Sequence, residues 1–113
     1  SECDFRRLNP FYIHPGAQIR HVRRNGKNGV DLIRQSILQK NFDVTSMIIV
    51  WRDEKQDPAA KPPRYFCVDG MHRIEVVQEL ISQKYEDWPP GMFDSATGEI
   101  RLQCAVLRET PSR

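Results

Sequence analysis

Five consecutive residues, Asp69-Gly70-Met71-His72-Arg73, bring together the groups that grip a phosphate. They follow the apolar, β-rich run RYFCVD (64–69) and precede apolar residues at helical spacing, so the segment reads strand, tight turn, helix. That order aims several unpaired backbone N–H groups and the positive end of a helix dipole at one point, which makes an anion site. Gly70 has no Cβ to keep a phosphate from the backbone. His72 and Arg73 add side-chain donors in the first turn, and arginine can hold phosphate oxygens through two parallel hydrogen bonds. Cations there oppose the dipole and cost stability unless an anion offsets them. The same residues also admit a plainer reading, in which Asp69 caps the helix and His72 and Arg73 pair with Glu75 or solvent. Asp69 has three possible uses: capping the helix, holding a magnesium ion that bridges nucleotide phosphates, or accepting a proton as general base.

The elements that must position these residues emerge from the pattern around them. FYIH (11–14) is a short extended piece between Pro10 and Pro15, and a basic, turn-rich connection covers 20–29. Val30, Ile33, Ile37 and Leu38 form one apolar stripe, which predicts an amphipathic helix over about 29–40 that packs on a sheet. MIIVW (47–51) and RYFCVD (64–69) predict buried strands. The polar, proline-rich link between them reads as a mobile loop on the sheet edge. Ile74, Val77, Leu80 and Ile81 predict a second helix over about 70–84, broken by Trp88-Pro89-Pro90-Gly91, and IRLQCAVL (100–107) supplies a last strand. The expectation is an α/β (α+β) domain: one small mixed β-sheet with packed helices.

A chain of 113 residues with 39% hydrophobic content supports one modest core, so 1–113 is expected to be a single domain. Its opening SECDFRRLNP reads as the interior of a longer protein. No apolar run approaches the roughly 20 residues of a membrane span, so a soluble domain with no membrane partner is expected. Residues 1–40 hold eight Lys/Arg against three Asp/Glu, a local charge of +5 inside a net +2. That end suits phosphates or an acidic partner, and equally a solvated basic face. Cys3, Cys67 and Cys104 are odd in number and widely spaced, which argues against a disulfide framework or a CxxC zinc site. They point to a reducing, intracellular compartment, cytoplasm or nucleus. Trp51, Trp88 and Phe93 offer faces for a base to stack on, or serve as packing.

The series LNPFYIHPGAQIR, VDLIRQSILQKNF, SMIIVW, YFCVDGMHRIEVVQEL and LQCAVL, from about residue 8 to 108, resembles the ParB/sulfiredoxin superfamily in its order and spacing. The Asp-Gly-x-His-Arg form especially resembles members that bind or hydrolyse nucleotides, among them the free-serine kinases. The resemblance implies a nucleotide phosphate site formed by Gly70, Met71, His72 and Arg73, with Asp69 beside it. It also implies that the Ser36 hydroxyl faces the nucleotide, although a small residue packed near a helix end explains Ser36 equally well. Gln18-Ile19-Arg20 resembles the Gln-Pro-Arg segment of ParB proteins, whose arginine faces phosphate; here the proline is absent.

Departures from the family choose among functions. Sulfiredoxins carry Gly-Cys-His-Arg, and Met71 stands here in place of the attacking cysteine; a thioether cannot act as that thiolate. The arginine-rich motif of chromosome-partitioning ParB proteins and their helix-turn-helix are not in these residues. A kinase needs a catalytic carboxylate outside the shared motif, and Glu2 and Asp4 are candidates only by proximity to the first strand. The leading expectation is therefore a domain that binds ATP, CTP or another NTP with Mg²⁺, and hydrolyses it or transfers its phosphoryl group to a small acceptor. Asp69, His72 and Arg73 would be its catalytic residues. The alternative is a nucleic-acid-binding or nuclease-like module in which Arg20, Arg23, Arg24 and Lys27 track a phosphate backbone.

Overall fold

The computed structural model describes residues 3–16, 34–35 and 47–109. Arg20, Ser36 and most of the helix expected over 29–40 lie outside the described residues; Arg34 and Gln35, which belong to it, are helical. The elements in chain order are β1 (Cys3–Leu8), a 3-10 turn (Pro10–Tyr12), β2 (Ile13–Pro15), β3 (Ile48–Arg52) and β4 (Tyr65–Asp69). After β4 come α1 (Met71–Ser82), a second 3-10 turn (Pro90–Met92), β5 (Phe93–Asp94), β6 (Glu99–Ile100) and β7 (Leu102–Leu107).

Five strands form one mixed sheet in the order β1-β7-β3-β4-β2. β1 runs antiparallel to β7 and β3 antiparallel to β4, while β7 with β3 and β2 with β4 are parallel pairs. The fold is thus α+β, a mixed sheet with a helix on it. Alternation along the strands decides which side is buried, because successive side chains point to opposite faces. Ile48 and Val50, Tyr65 and Cys67, and Leu102, Cys104 and Val106 all enter one core with Met71, Ile74, Val77 and Leu80 of α1. Each such aliphatic side chain contributes roughly 1.5–3 kcal/mol on burial. On the opposite face Trp51 lies against Phe66 with ring centroids 4.9 Å apart.

Of the piece expected to be extended over 11–14, Phe11 and Tyr12 instead form the first 3-10 turn, where Asn9 accepts from the Phe11 N–H at 2.9 Å, and only Ile13 and His14 are strand. Two further segments also differ from the sequence expectation. The sequence pattern does not mark β1 as a strand: Phe5, Arg6 and Arg7 are exposed in succession, so no alternation reveals it. It is an edge strand, paired on one side only, and charged side chains at an edge discourage further pairing. The link between β3 and β4 joins neighbouring strands inside the sheet, and hydrogen bonds organise it. Arg52 donates to the Gln56 side chain at 2.9 Å and to the Asp57 carbonyl at 3.1 Å. Gln56 in turn accepts from the Arg64 backbone N–H at 2.7 Å and donates to the Pro62 carbonyl at 3.2 Å. Asp53, buried at 7% exposure, accepts from the Lys55 N–H at 2.9 Å and pairs with Arg64 at 3.2 Å.

Helix α1 stops two residues short of the expected Lys84 because the chain turns left-handed there. Lys84 has φ 63°, its N–H donates to the Ile81 carbonyl at 2.9 Å, and the Tyr85 N–H reaches the Leu80 carbonyl at 3.0 Å. This is a Schellman cap, a position that glycine fills without the steric cost a Cβ incurs. Replacement Lys84→Gly is expected to raise unfolding stability by about 1 kcal/mol, read as a higher urea midpoint with an unchanged slope.

Candidate phosphate site at the start of helix α1

The site begins with a bulge. Along the β3–β4 pair, Cys67 faces Val50 and Asp69 faces Ile49, so β4 spends two residues where β3 spends one. Val68 is the extra residue, and a bulge of this kind bends a strand and re-aims the chain beyond it. The chain then reaches Gly70, at φ 106° and ψ 15°, the N-cap of α1. A Cβ at Gly70 would lie 3.0 Å from Cγ1 of Ile48 and 3.2 Å from Nη2 of Arg73. Glycine is therefore required twice, by its backbone angle and by the close approach of β3.

The helix start carries no cap. Gly70 has no side chain to cap it, no side-chain cap hydrogen bond forms among the described residues, and the first turn contains no acidic residue. Asp69, which sequence reasoning could assign to capping, is exposed at the end of β4 and does not serve as the cap. Among the described residues, no side chain caps the first turn's orphan N–H groups at the dipole's positive end, the arrangement that suits an anion.

Arg73 folds back over this turn. Its Nη2 donates to the Met47 carbonyl at 3.3 Å, just before β3, and its Nε is buried with no hydrogen-bond partner among the described residues. A buried guanidinium N–H left without an acceptor is costly, and charge-assisted bonding to an anion would remove that cost. No ion pair joins Arg73 to Glu75 among the described residues; Glu79, one turn further on, instead pairs with Arg34. His72 is half-buried in the same turn. Met71, expected among the phosphate contacts, turns its side chain into the core at 9% exposure, which leaves its backbone N–H for that role.

The structure therefore brings Asp69, Gly70, His72 and Arg73 to one place. Arg20 and Ser36 lie outside the described residues. Asp4 is not brought near: it sits on edge strand β1, with β7 and β3 between it and β4, and pairs with Arg108 at 2.7 Å. That partner holds the Asp4 carboxyl below its usual range. Glu2 lies outside the described residues. Cys67 is fully buried, and burial, reinforced by the Asp69 charge, pushes its thiol up to about 12. At neutral pH it is a thiol, inert as a nucleophile. Among the described residues no three His, Cys, Asp or Glu side chains gather into a metal cage.

Two features here escape sequence reasoning. Met47 supplies only a carbonyl, which no residue type advertises, and Ile48 acts through its closeness to Gly70. The aromatic candidates fall elsewhere. Trp88 and Phe93 line a cavity of about 880 Å³ with Ile81 and Tyr85, at the far end of α1. Trp51 lies toward the end of β3 that pairs with Tyr65 rather than Asp69. In comparisons with known proteins, no family model, curated protein or solved structure matches the chain.

Replacement Gly70→Ala tests the geometry directly. It should destabilise the fold by about 1–3 kcal/mol, since an alanine is strained at this φ. Urea unfolding would measure this; a change below a few tenths would mean that the turn is not as described.

Proposed function

We propose that this chain is a nucleotide-binding domain of the ParB/sulfiredoxin type, taking ATP, CTP or another NTP with Mg²⁺ at the turn between β4 and α1. The observation that carries the reading is an uncapped helix N-terminus behind a left-handed glycine, with the partly unsatisfied guanidinium of Arg73 beside it. All three favour an anion with several oxygens. In this reading the N–H groups of Met71, His72 and Arg73 cradle phosphate oxygens, while the His72 and Arg73 side chains stabilise charge on the phosphoryl group.

Asp69 is a single exposed carboxylate at the strand end. It fits a Mg²⁺ that takes its other ligands from phosphate oxygens and water, and not a cage built wholly of protein. When bound, the ion would neutralise charge on the nucleotide's phosphates. Phosphoryl chemistry needs alignment and charge stabilisation more than a protein nucleophile, and the inert Cys67 and the thioether of Met71 accord with that. The reading is therefore of an NTPase or small-molecule kinase, with Asp69 also able to accept a proton from an attacking hydroxyl. The basic residues behind the nucleic-acid alternative, Arg20, Arg23, Arg24 and Lys27, lie outside the described residues, and no observation favours it.

Calorimetric titration of ATP, CTP, GTP and ADP, each with and without Mg²⁺, into the wild type, Asp69→Asn and His72→Ala/Arg73→Ala tests the proposal. One nucleotide should bind with Mg²⁺. The double variant should weaken it by at least about tenfold, as loss of a charge-assisted hydrogen bond implies, and Asp69→Asn should reduce the Mg²⁺ dependence. Failure of the wild type to bind any of the four would overturn the reading.

A further inference from the structure

The cavity at the far end of α1 belongs to no step of this chemistry. Its position results from the Schellman cap, which turns the chain at Lys84 and brings Tyr85 and Trp88 against the core. The polar tips of both rings are satisfied within the same segment: the Tyr85 hydroxyl donates to the Asp87 carbonyl at 3.1 Å, and Trp88 Nε1 to the Tyr85 carbonyl at 2.9 Å. The two rings meet edge to face at 5.1 Å. Phe11, in the first 3-10 turn, and Phe93, on the β5–β6 ribbon, complete an aromatic wall at 47% and 48% exposure. With Phe5 they are the large hydrophobic side chains left exposed among the described residues. Apolar surface gathered around one groove marks an interaction site more often than the same residues scattered singly.

Charge selects the occupant. The charged residues lining the groove are Glu86 and Glu99, and no Lys or Arg lines it among the described residues. Glu99 shares Arg101 with Asp94, at 3.2 and 3.6 Å, whereas Glu86 lies exposed at the rim. Aromatic faces attract cations and carboxylates hold guanidinium groups. A volume of about 880 Å³ exceeds what one ammonium head would fill, so the groove suits several side chains in succession.

We propose that this groove docks a basic peptide segment of a partner protein, setting an apolar side chain between Phe11 and Phe93 and an arginine or lysine against Glu86. The proposal stands independently of nucleotide binding, because the groove and the phosphate site lie at opposite ends of α1.

The test is fluorescence anisotropy with a labelled short peptide alternating leucine and arginine, added to the full chain. Comparison peptides replace arginine by glutamate, or leucine by arginine throughout. The leucine–arginine peptide should bind, and the glutamate peptide should not. The all-arginine peptide should bind at least about tenfold more weakly, since it lacks the apolar anchor. Glu86→Lys and Phe93→Ser, both at exposed positions, should each weaken binding by about tenfold or more, with thermal melts confirming that they fold. Should Phe93→Ser fail to fold, Glu86→Lys alone decides. Absence of binding, equal binding of the glutamate peptide, or binding unmoved by the folded variants would overturn the proposal. So would sedimentation showing a wild-type dimer that Glu86→Lys or Phe93→Ser dissolves and the peptide does not displace, because the occupant would then be a second copy of this chain.

Discussion

The left-handed turn at Gly70 is the constraint on which the rest of the arrangement depends. It must reverse the chain from the end of β4 into α1 within one residue, while Ile48 of β3 lies so close that a Cβ would meet it at 3.0 Å. Because the turn is this tight, α1 begins directly after the end of β4, with no side-chain cap on its first amides among the described residues and with Arg73 donating to the Met47 carbonyl. The bulge at Val68 and the glycine together set the direction of the helix, and that direction buries Ile74, Val77 and Leu80 in one core with Ile48, Val50 and Cys67. Packing and site geometry are two results of one backbone event.

Helix α1 also keeps two chemistries apart. Its twelve residues span roughly 17 Å. At one end stand an exposed carboxylate, an imidazole and a guanidinium around the helix's first backbone donors; at the other, aromatic faces with carboxylates on the rim. A dipole positive at its start and negative at its end reinforces both, favouring anions at Gly70 and cations near Glu86. The core between them holds Cys67 and Cys104, whose thiols burial pushes up to about 12. Neither is available for covalent chemistry at neutral pH.

Much of this is legible in the sequence where a residue's type and spacing carry the information. The apolar runs at 47–51 and 64–69, the alternation at 100–107 and the stripe Ile74, Val77, Leu80 mark β3, β4, β7 and α1 within a few residues, because burial writes apolar runs or a period of two into strands and a period near 3.6 into a helix. β1 writes no such period, since Phe5, Arg6 and Arg7 all face solvent on an edge. The link from Arg52 to Arg64 reads as loose because prolines and charges are common in loops. Its order comes from Arg52, Asp53 and Gln56 bonding to backbone groups that composition does not reveal. At the site, Gly70 and Arg73 stand out by type, but Met71 joins them by adjacency alone, and helical geometry turns it inward. The groove is hidden for a different reason: Phe11 and Phe93 are distant in sequence, and only the two 3-10 turns bring them together.

The central claim is that the first turn of α1 is where phosphate sits, and mapping amide NMR shifts as Mg-ATP, or whichever nucleotide binds, is added tests it most directly. The largest shifts are expected at Gly70, Met71, His72 and Arg73, with Tyr85, Trp88 and Phe93 nearly still. Saturation with the largest shifts elsewhere, or none at residues 70–73, would contradict it.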